Sequence, residues 1–141
     1  MRALALDVGS KTIGVAMTDE ARIAAHPFKV LSRVGNSGDA RAVAAVVAEH
    51  AVSDVVVGMP FELSGKLGHR ARRVRAFIAA LREVLPTGAH LHEQDERFTT
   101  AEAERALIAA DVPRAHRRSV IDGHAAALIL RAWLDAQPPR G

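Results

Sequence analysis

Residues 54–58, Asp-Val-Val-Val-Gly, form an unbroken β-branched run closed by glycine. A strand that is apolar on both faces must be covered on both faces, as parallel strands inside α/β sheets are. The flanking segments supply covers. Val43, Val46 and Val47 recur at helical spacing between Asp39 and His50, after turn-forming residues Asn36 to Gly38. Leu67, Ala71, Val74, Ile78 and Leu81 mark one face of a second helix, which Pro86 and Gly88 stop. Ala89 to Glu93 is the next strand. Upstream, Leu4 to Asp7 and Ile13 to Thr18 read as a hairpin, and a third strand lies within Ile23 to Leu31, where Pro27 marks an edge or a bulge. Downstream, Thr99 opens a helix with Glu102 at the reciprocal capping position, and Pro113 ends it. Val120 to Leu134 is the last helix, with Ile121, Ala125, Leu128 and Ala132 along one side. The order βββαβαβαα predicts an α/β fold, a five-stranded mixed sheet flanked by helices on both faces. We expect a single domain over 1–136 and a frayed tail at 137–141.

Composition narrows the chemistry. The 141 residues are 49% hydrophobic, enough for one core, and contain no cysteine, which excludes disulfides and thiolate-bound metals. His90 and His92 share a strand face, but with no cysteine and no helical His-Glu-x-x-His they do not make a zinc site. No apolar run approaches the ~18 residues of a membrane helix, so no membrane partner is expected and a cytoplasmic location fits. The net charge is +3, and the positive charge is nearly all arginine, whose planar fork suits phosphate.

Ligands in open α/β sheets gather at the carboxyl ends of strands. Asp7 closes the first strand beside Gly9, Glu93, Asp95 and Glu96 cluster at the end of the fifth, and Asp122 lies in the first turn of the last helix. Acids brought together from three distant segments repel one another unless cations sit among them. An all-oxygen set suits one or two Mg²⁺ or Mn²⁺ ions, which serve phosphodiester cleavage. Each acid also has a plainer role: Asp122 can complete a capping box with Ser119, and Asp95 and Glu96 can be solvated loop residues.

Between the first two strands stands Gly9-Ser10-Lys11-Thr12, with a second glycine at 14. It is not a nucleotide P-loop, because Val15 follows Gly14 where that motif needs lysine, and because no helix follows. We read it as a hairpin whose glycines permit left-handed backbone, with Lys11 and Thr12 as auxiliary contacts to a substrate phosphate. Two basic clusters suit a polyanion: Lys66, Arg70, Arg72, Arg73 and Arg75, and then Arg114, Arg117 and Arg118. With four Phe, one Trp and no Tyr, a base-stacking platform is disfavoured and recognition of duplex or junction shape is expected.

Four stretches, LDVGSKTIGVAMTD, VVVGMPFELSGKLG, DERFTTAEAERAL and IDGHAAALILRAWL, resemble the signature blocks of the YqgF/RuvX family, in order and over nearly the whole chain. The resemblance implies a ribonuclease H-like fold and a metal-dependent nuclease acting on structured RNA, in the 5′-end maturation of pre-16S rRNA within the ribosomal precursor particle. It implies Asp7, Asp95 and Asp122 as the catalytic, metal-binding acids, with Glu93 and Glu96 as auxiliaries. Arg97, beside them, contacts the scissile phosphate or pairs with an acid. Many ribonuclease H-like enzymes close the fourth strand with an acid. Here it closes with Gly58-Met59-Pro60, so the cage relies on the acids of strand five. The alternatives are a Holliday junction resolvase acting on branched DNA, which needs a two-fold homodimer, and a non-catalytic RNA-binding ribosome-assembly factor. An actin-like or sugar-kinase ATPase is set aside, since those clamp nucleotide between two duplicated domains.

Overall fold

The computed structural model describes residues 1–62, 64–96 and 114–138, with the side chains of 114–122 outside that set. Five strands, β1 (Arg2–Val8), β2 (Thr12–Thr18), β3 (Ala25–Ser32), β4 (Val52–Met59) and β5 (His90–Asp95), form one sheet in the order β3-β2-β1-β4-β5. β1 is antiparallel to β2 and β2 to β3, whereas β1, β4 and β5 run parallel. The helices are α1 (Asn36–Glu49), α2 (His69–Val84) and α3 (Arg114–Asp135). The helix expected from Thr99 lies outside the described residues.

Strand alternation builds two unequal cores. One face carries Leu4, Leu6, Ile13, Val15, Val55, Val57 and Met59, packed against Val43 and Val47 of α1 and Val74, Phe77 and Leu81 of α2. The other carries Ala3, Ala5, Ala16 and Val56, and on this thin layer lie Ala126, Ile129, Leu130 and Trp133 of α3. The run at 55–57 is fully buried, as its composition demands. β3 is an edge strand. Val15 pairs with Lys29 and Ala16 with Pro27, so Phe28 is an extra, bulged residue beside the proline.

Boundaries differ from the sequence reading in several places, and one helix face does too. α3 begins at Arg114 rather than Val120, so Asp122 lies in its third turn and Ser119, inside the helix, does not cap it. α2 begins at His69, past Leu67. α1 begins at Asn36, because Gly35, at φ 133°, turns the chain and the Asp39 carboxylate reaches back to the N–H groups of Val34 and Gly35 at 3.0 and 3.3 Å. β5 runs on through Asp95. The buried stripe of α3 is Ala125, Ala126, Ile129, Leu130 and Trp133, while Leu128 and Ala132 are half-buried. The helix turns its large side chains onto the alanine layer, which has room for them.

The edge where β4 begins is tied by a satisfied ionic cluster. Arg22, at φ 57°, donates to the Met1 carbonyl at 2.9 Å, to Ser53 Oγ at 2.7 Å and to Asp54 Oδ2 at 2.7 Å. His92 Nε2 lies 2.8 Å from Asp54 Oδ1, and its ring packs on Trp133 at 5.0 Å between centroids.

Candidate active site

Strand parity decides which acids meet. Asp7 follows Ala3 and Ala5 on the α3 face of β1 and is 9% exposed. On β5, contact with Trp133 puts His92 on that same face. Glu93 therefore looks the other way, to α2, where Arg75 Nε and Nη2 donate to its carboxylate at 3.2 and 3.1 Å. Glu93 and Asp7 are not brought together. Asp95, the last residue of β5, has the parity of Glu93.

Glu96 is the acid that reaches Asp7. Its N–H donates to the Met59 carbonyl at 3.2 Å, carrying the β4–β5 ladder one residue past the strand. Its side chain lies over Gly58. A Cβ at position 58 would stand 2.9 Å from Glu96 Oε2 and 2.5 Å from Ile129 Cδ1. The glycine closing β4 thus leaves the space in which the Glu96 carboxylate sits. Glu96 is 6% exposed, and among the described residues its Oε2 has no hydrogen-bond partner. Burial, then the Asp7 charge, push its pKa up to about 8; Arg70 opposes the rise and Asp95 adds to it. A buried acid raised by other acids is the electrostatic mark of a functional cluster. The described residues hold no group of three His, Asp or Glu side chains gathered closely enough to bind a metal. Asp122 belongs to α3, one and two turns before the buried Ala126 and Ile129. Its side chain lies outside the described residues, as do Arg97 and the side chains of Arg114, Arg117 and Arg118.

The hairpin loop differs from its expected conformation. Neither Gly9 nor Gly14 takes a left-handed backbone. Gly9 is required for closeness instead: its N–H donates to the Thr12 carbonyl at 2.8 Å, and a Cβ there would lie 3.0 Å from that same oxygen. Gly14 sits opposite Asp7 in the β1–β2 register. Sequence reasoning missed what holds the loop. Arg33 donates through Nη1 to the Gly9 carbonyl at 2.7 Å, through Nε to Asp39 Oδ2 at 2.7 Å and through Nη2 to Asn36 Oδ1 at 2.6 Å, and its N–H donates to the Lys11 carbonyl at 2.9 Å. Burial pushes the Asp39 carboxyl up, but the Val34 N–H, Arg33 and the Gly35 N–H hold it below its ordinary range. The one available signal was an acid within capping reach of a Gly-Asn-Ser-Gly start.

Beside the loop is a cavity of about 190 Å³ lined by Val8, Gly9, Ser10, Lys11, Thr12, Arg70, Arg73 and Val74. The structure thus brings Lys11, Arg70 and Arg73 together, while Lys66 stays exposed in the loop before α2 and does not line the cavity. Glu62 packs against the start of α2, its Oε1 2.7 Å from where a Gly68 Cβ would be.

A mixed five-stranded sheet in the order β3-β2-β1-β4-β5 with helices on both faces is the ribonuclease H-like fold of the resolvases. T. thermophilus RuvC, solved in complex with a Holliday junction substrate, superposes with a TM-score of 0.54 at 17% identity, covering 95% of this chain and 96% of that one. The fowlpox virus Holliday junction resolvase superposes with a TM-score of 0.59 at 10% identity, covering 96% and 99%. At the level of sequence, the family model described as RuvX, Holliday junction resolvase, matches residues 1–136, and the chain belongs to that family. A relative from Myxococcus xanthus, named "Putative pre-16S rRNA nuclease", is 43% identical over 139 residues, 99% of this chain and 91% of that protein. One of the same name from Geobacillus kaustophilus is 43% identical over 139 residues, 97% of this chain and 99% of that protein. The chain is accordingly a hydrolase, a nuclease acting on nucleic acid. Among the described residues, no helix is long and apolar enough to cross a membrane.

Proposed function

We propose that this chain is a single nuclease domain over 1–136 that hydrolyses phosphodiester bonds of structured RNA, maturing the 5′ end of pre-16S rRNA in the cytoplasm with one or two Mg²⁺ or Mn²⁺ ions. The names of relatives above 40% identity support the substrate. The observation that carries the site is the Glu96 carboxylate, buried over Gly58, with no hydrogen-bond partner for Oε2 among the described residues and a pKa raised by that burial and then by Asp7 and Asp95.

The donor chemistry fits a divalent cation. A buried oxygen without a partner, among acids that repel one another, is what an oxygen-ligated ion satisfies. Asp7, Glu96 and Asp122 would hold it, with Asp95 alongside. When bound, such an ion activates water and stabilises charge on the leaving oxygen. Asp7 at the end of β1 and Glu96 just past β5 would present their carboxylates to it, with Ile129 of α3 beside Glu96 over Gly58. Lys66, Arg97, Arg114, Arg117 and Arg118 supply positive charge for the RNA backbone, and the Arg70 charge already acts on Glu96.

The test is cleavage of labelled precursor rRNA, in its precursor particle and free, with Mn²⁺ or Mg²⁺. Wild-type protein cleaves, and Asp7→Asn binds without cleaving. Binding without cleavage by wild type, in both settings, would leave an assembly factor. The family description favours one second reading, resolution of branched DNA. Symmetric nicking of a synthetic four-way junction, faster than cleavage of the rRNA, would establish it in place of the first.

A further inference from the structure

We propose that the cavity between the β1–β2 hairpin and α2 is a phosphate subsite. It takes an internal, non-scissile phosphate of the nucleic-acid strand whose neighbouring phosphate lies at the acids. The inference rests on the nuclease reading above and assigns a separate place in it.

Among the described residues, the cavity is lined by three cations and no carboxylate: Lys11 from the hairpin, and Arg70 and Arg73 from successive turns of α2. Nearby cations are already committed. Arg33 is held by Asp39 and Arg75 by Glu93. Among the described residues, Lys11 and Arg73 have no ion-pair partner. The rest of the described lining comes from Gly9, Ser10 and Thr12 and from the apolar Val8 and Val74. The hairpin is fixed before any ligand arrives, since Arg33 holds both the Gly9 and the Lys11 carbonyls. A preordered loop loses little entropy on binding. At about 190 Å³ the space falls below the ~300–1,000 Å³ typical of small-molecule sites. It suits a phosphate group with a few waters rather than a whole nucleotide.

Its position sets its role. Val8 lines the cavity and directly follows Asp7, and consecutive strand residues point to opposite faces. The acids and the cavity therefore stand back to back across the end of β1. Arg70 serves both, lining the cavity while its charge acts on Glu96. A strand crossing the sheet edge presents one phosphate to each side.

The test uses the full, metal-free chain, labelled with ¹⁵N and titrated with inorganic phosphate against chloride at matched ionic strength. The amides of Ser10, Lys11 and Thr12 shift together and saturate, and Arg73→Ala weakens that binding about tenfold. Absence of loop shifts in wild type, or shifts scattered over every exposed Lys and Arg, overturns the site without any variant being needed. In the second arm, an RNA duplex carrying a 5′-phosphate or a 5′-hydroxyl is bound and followed by fluorescence anisotropy. Lys11→Ala and Arg73→Ala each weaken both forms about tenfold and reduce the salt slope by roughly 1. Arg82→Ala, at the far end of α2, leaves both unchanged. A loss confined to the 5′-phosphorylated duplex, or a loss no larger than that of Arg82→Ala, overturns the assignment to an internal phosphate. Cleavage enters neither arm. Loop shifts in a protein that never cleaves would sink the nuclease reading alone, and cleavage without loop shifts would sink the subsite alone.

Discussion

β4 and β5 carry a buried or half-buried acid at each end of their pairing, and the two are treated in opposite ways. At the start of β4, Asp54 is met by Arg22 at 2.7 Å and by His92 at 2.8 Å. Burial pushes its carboxyl up, but the bonds from His92 and Arg22 more than reverse this and hold it below the ordinary range. Just past the end of β5, Glu96 is more deeply buried, has among the described residues no hydrogen-bond partner for its Oε2, and is pushed up to about 8. A paired acid fastens the fold. An acid facing other acids is destabilising by itself and keeps its binding capacity for something that arrives later. The acid at one end of the pairing is tied into the fold, and the acid at the other end faces like charges.

The separation can be broken from either side. Asp7→Asn should lower the rate of RNA cleavage on the order of 10³-fold while leaving the melting temperature unchanged or higher, because it removes a like charge beside Glu96. Arg22→Ala should do the converse. It should lower stability by about 3 kcal/mol in urea unfolding, with cleavage per folded molecule retained. If Arg22→Ala abolished cleavage at full stability, the division between the edges would be wrong. Gly58→Ala is the variant in which both readouts move. Its methyl meets Ile129 Cδ1 and Glu96 Oε2, so stability should fall by about 2 kcal/mol and cleavage with it.

Acid unfolding sharpens the contrast. Asp39 and Asp54 have folded pKa values below the ordinary 3.8. Their contribution is fully present above the unfolded value and is lost as pH falls through the lower folded ones. Stability measured by urea should therefore drop below about pH 4, and Asp39→Asn should flatten that limb. The smallest effect belongs to Arg75→Ala. Its pair with Glu93 is exposed, 46% and 31% for the two side chains, so it should cost at most about 0.5 kcal/mol.

Much of the fold was legible because its signals are local. A β-branched run must be a doubly covered strand, Pro27 must lie at an edge, and the helix faces follow from spacing. The site was legible only to the level of which segments carry acids. Whether the acid of strand five that meets Asp7 is Glu93, Asp95 or Glu96 depends on which face the strand presents, and one residue of register reverses it. His92 against Trp133 sets that face, across 41 positions of chain that no local pattern links. The Arg33 clamp was hidden for a related reason. Its partners Gly9 and Asp39 belong to different elements, and the residues around it looked like an ordinary turn.

Positions 58 and 96 claim one volume. A side chain on the fourth strand and a carboxylate folded back from the fifth exclude each other, so the two sites form a single heritable unit with two positions. Substitutions at the two positions should therefore travel together.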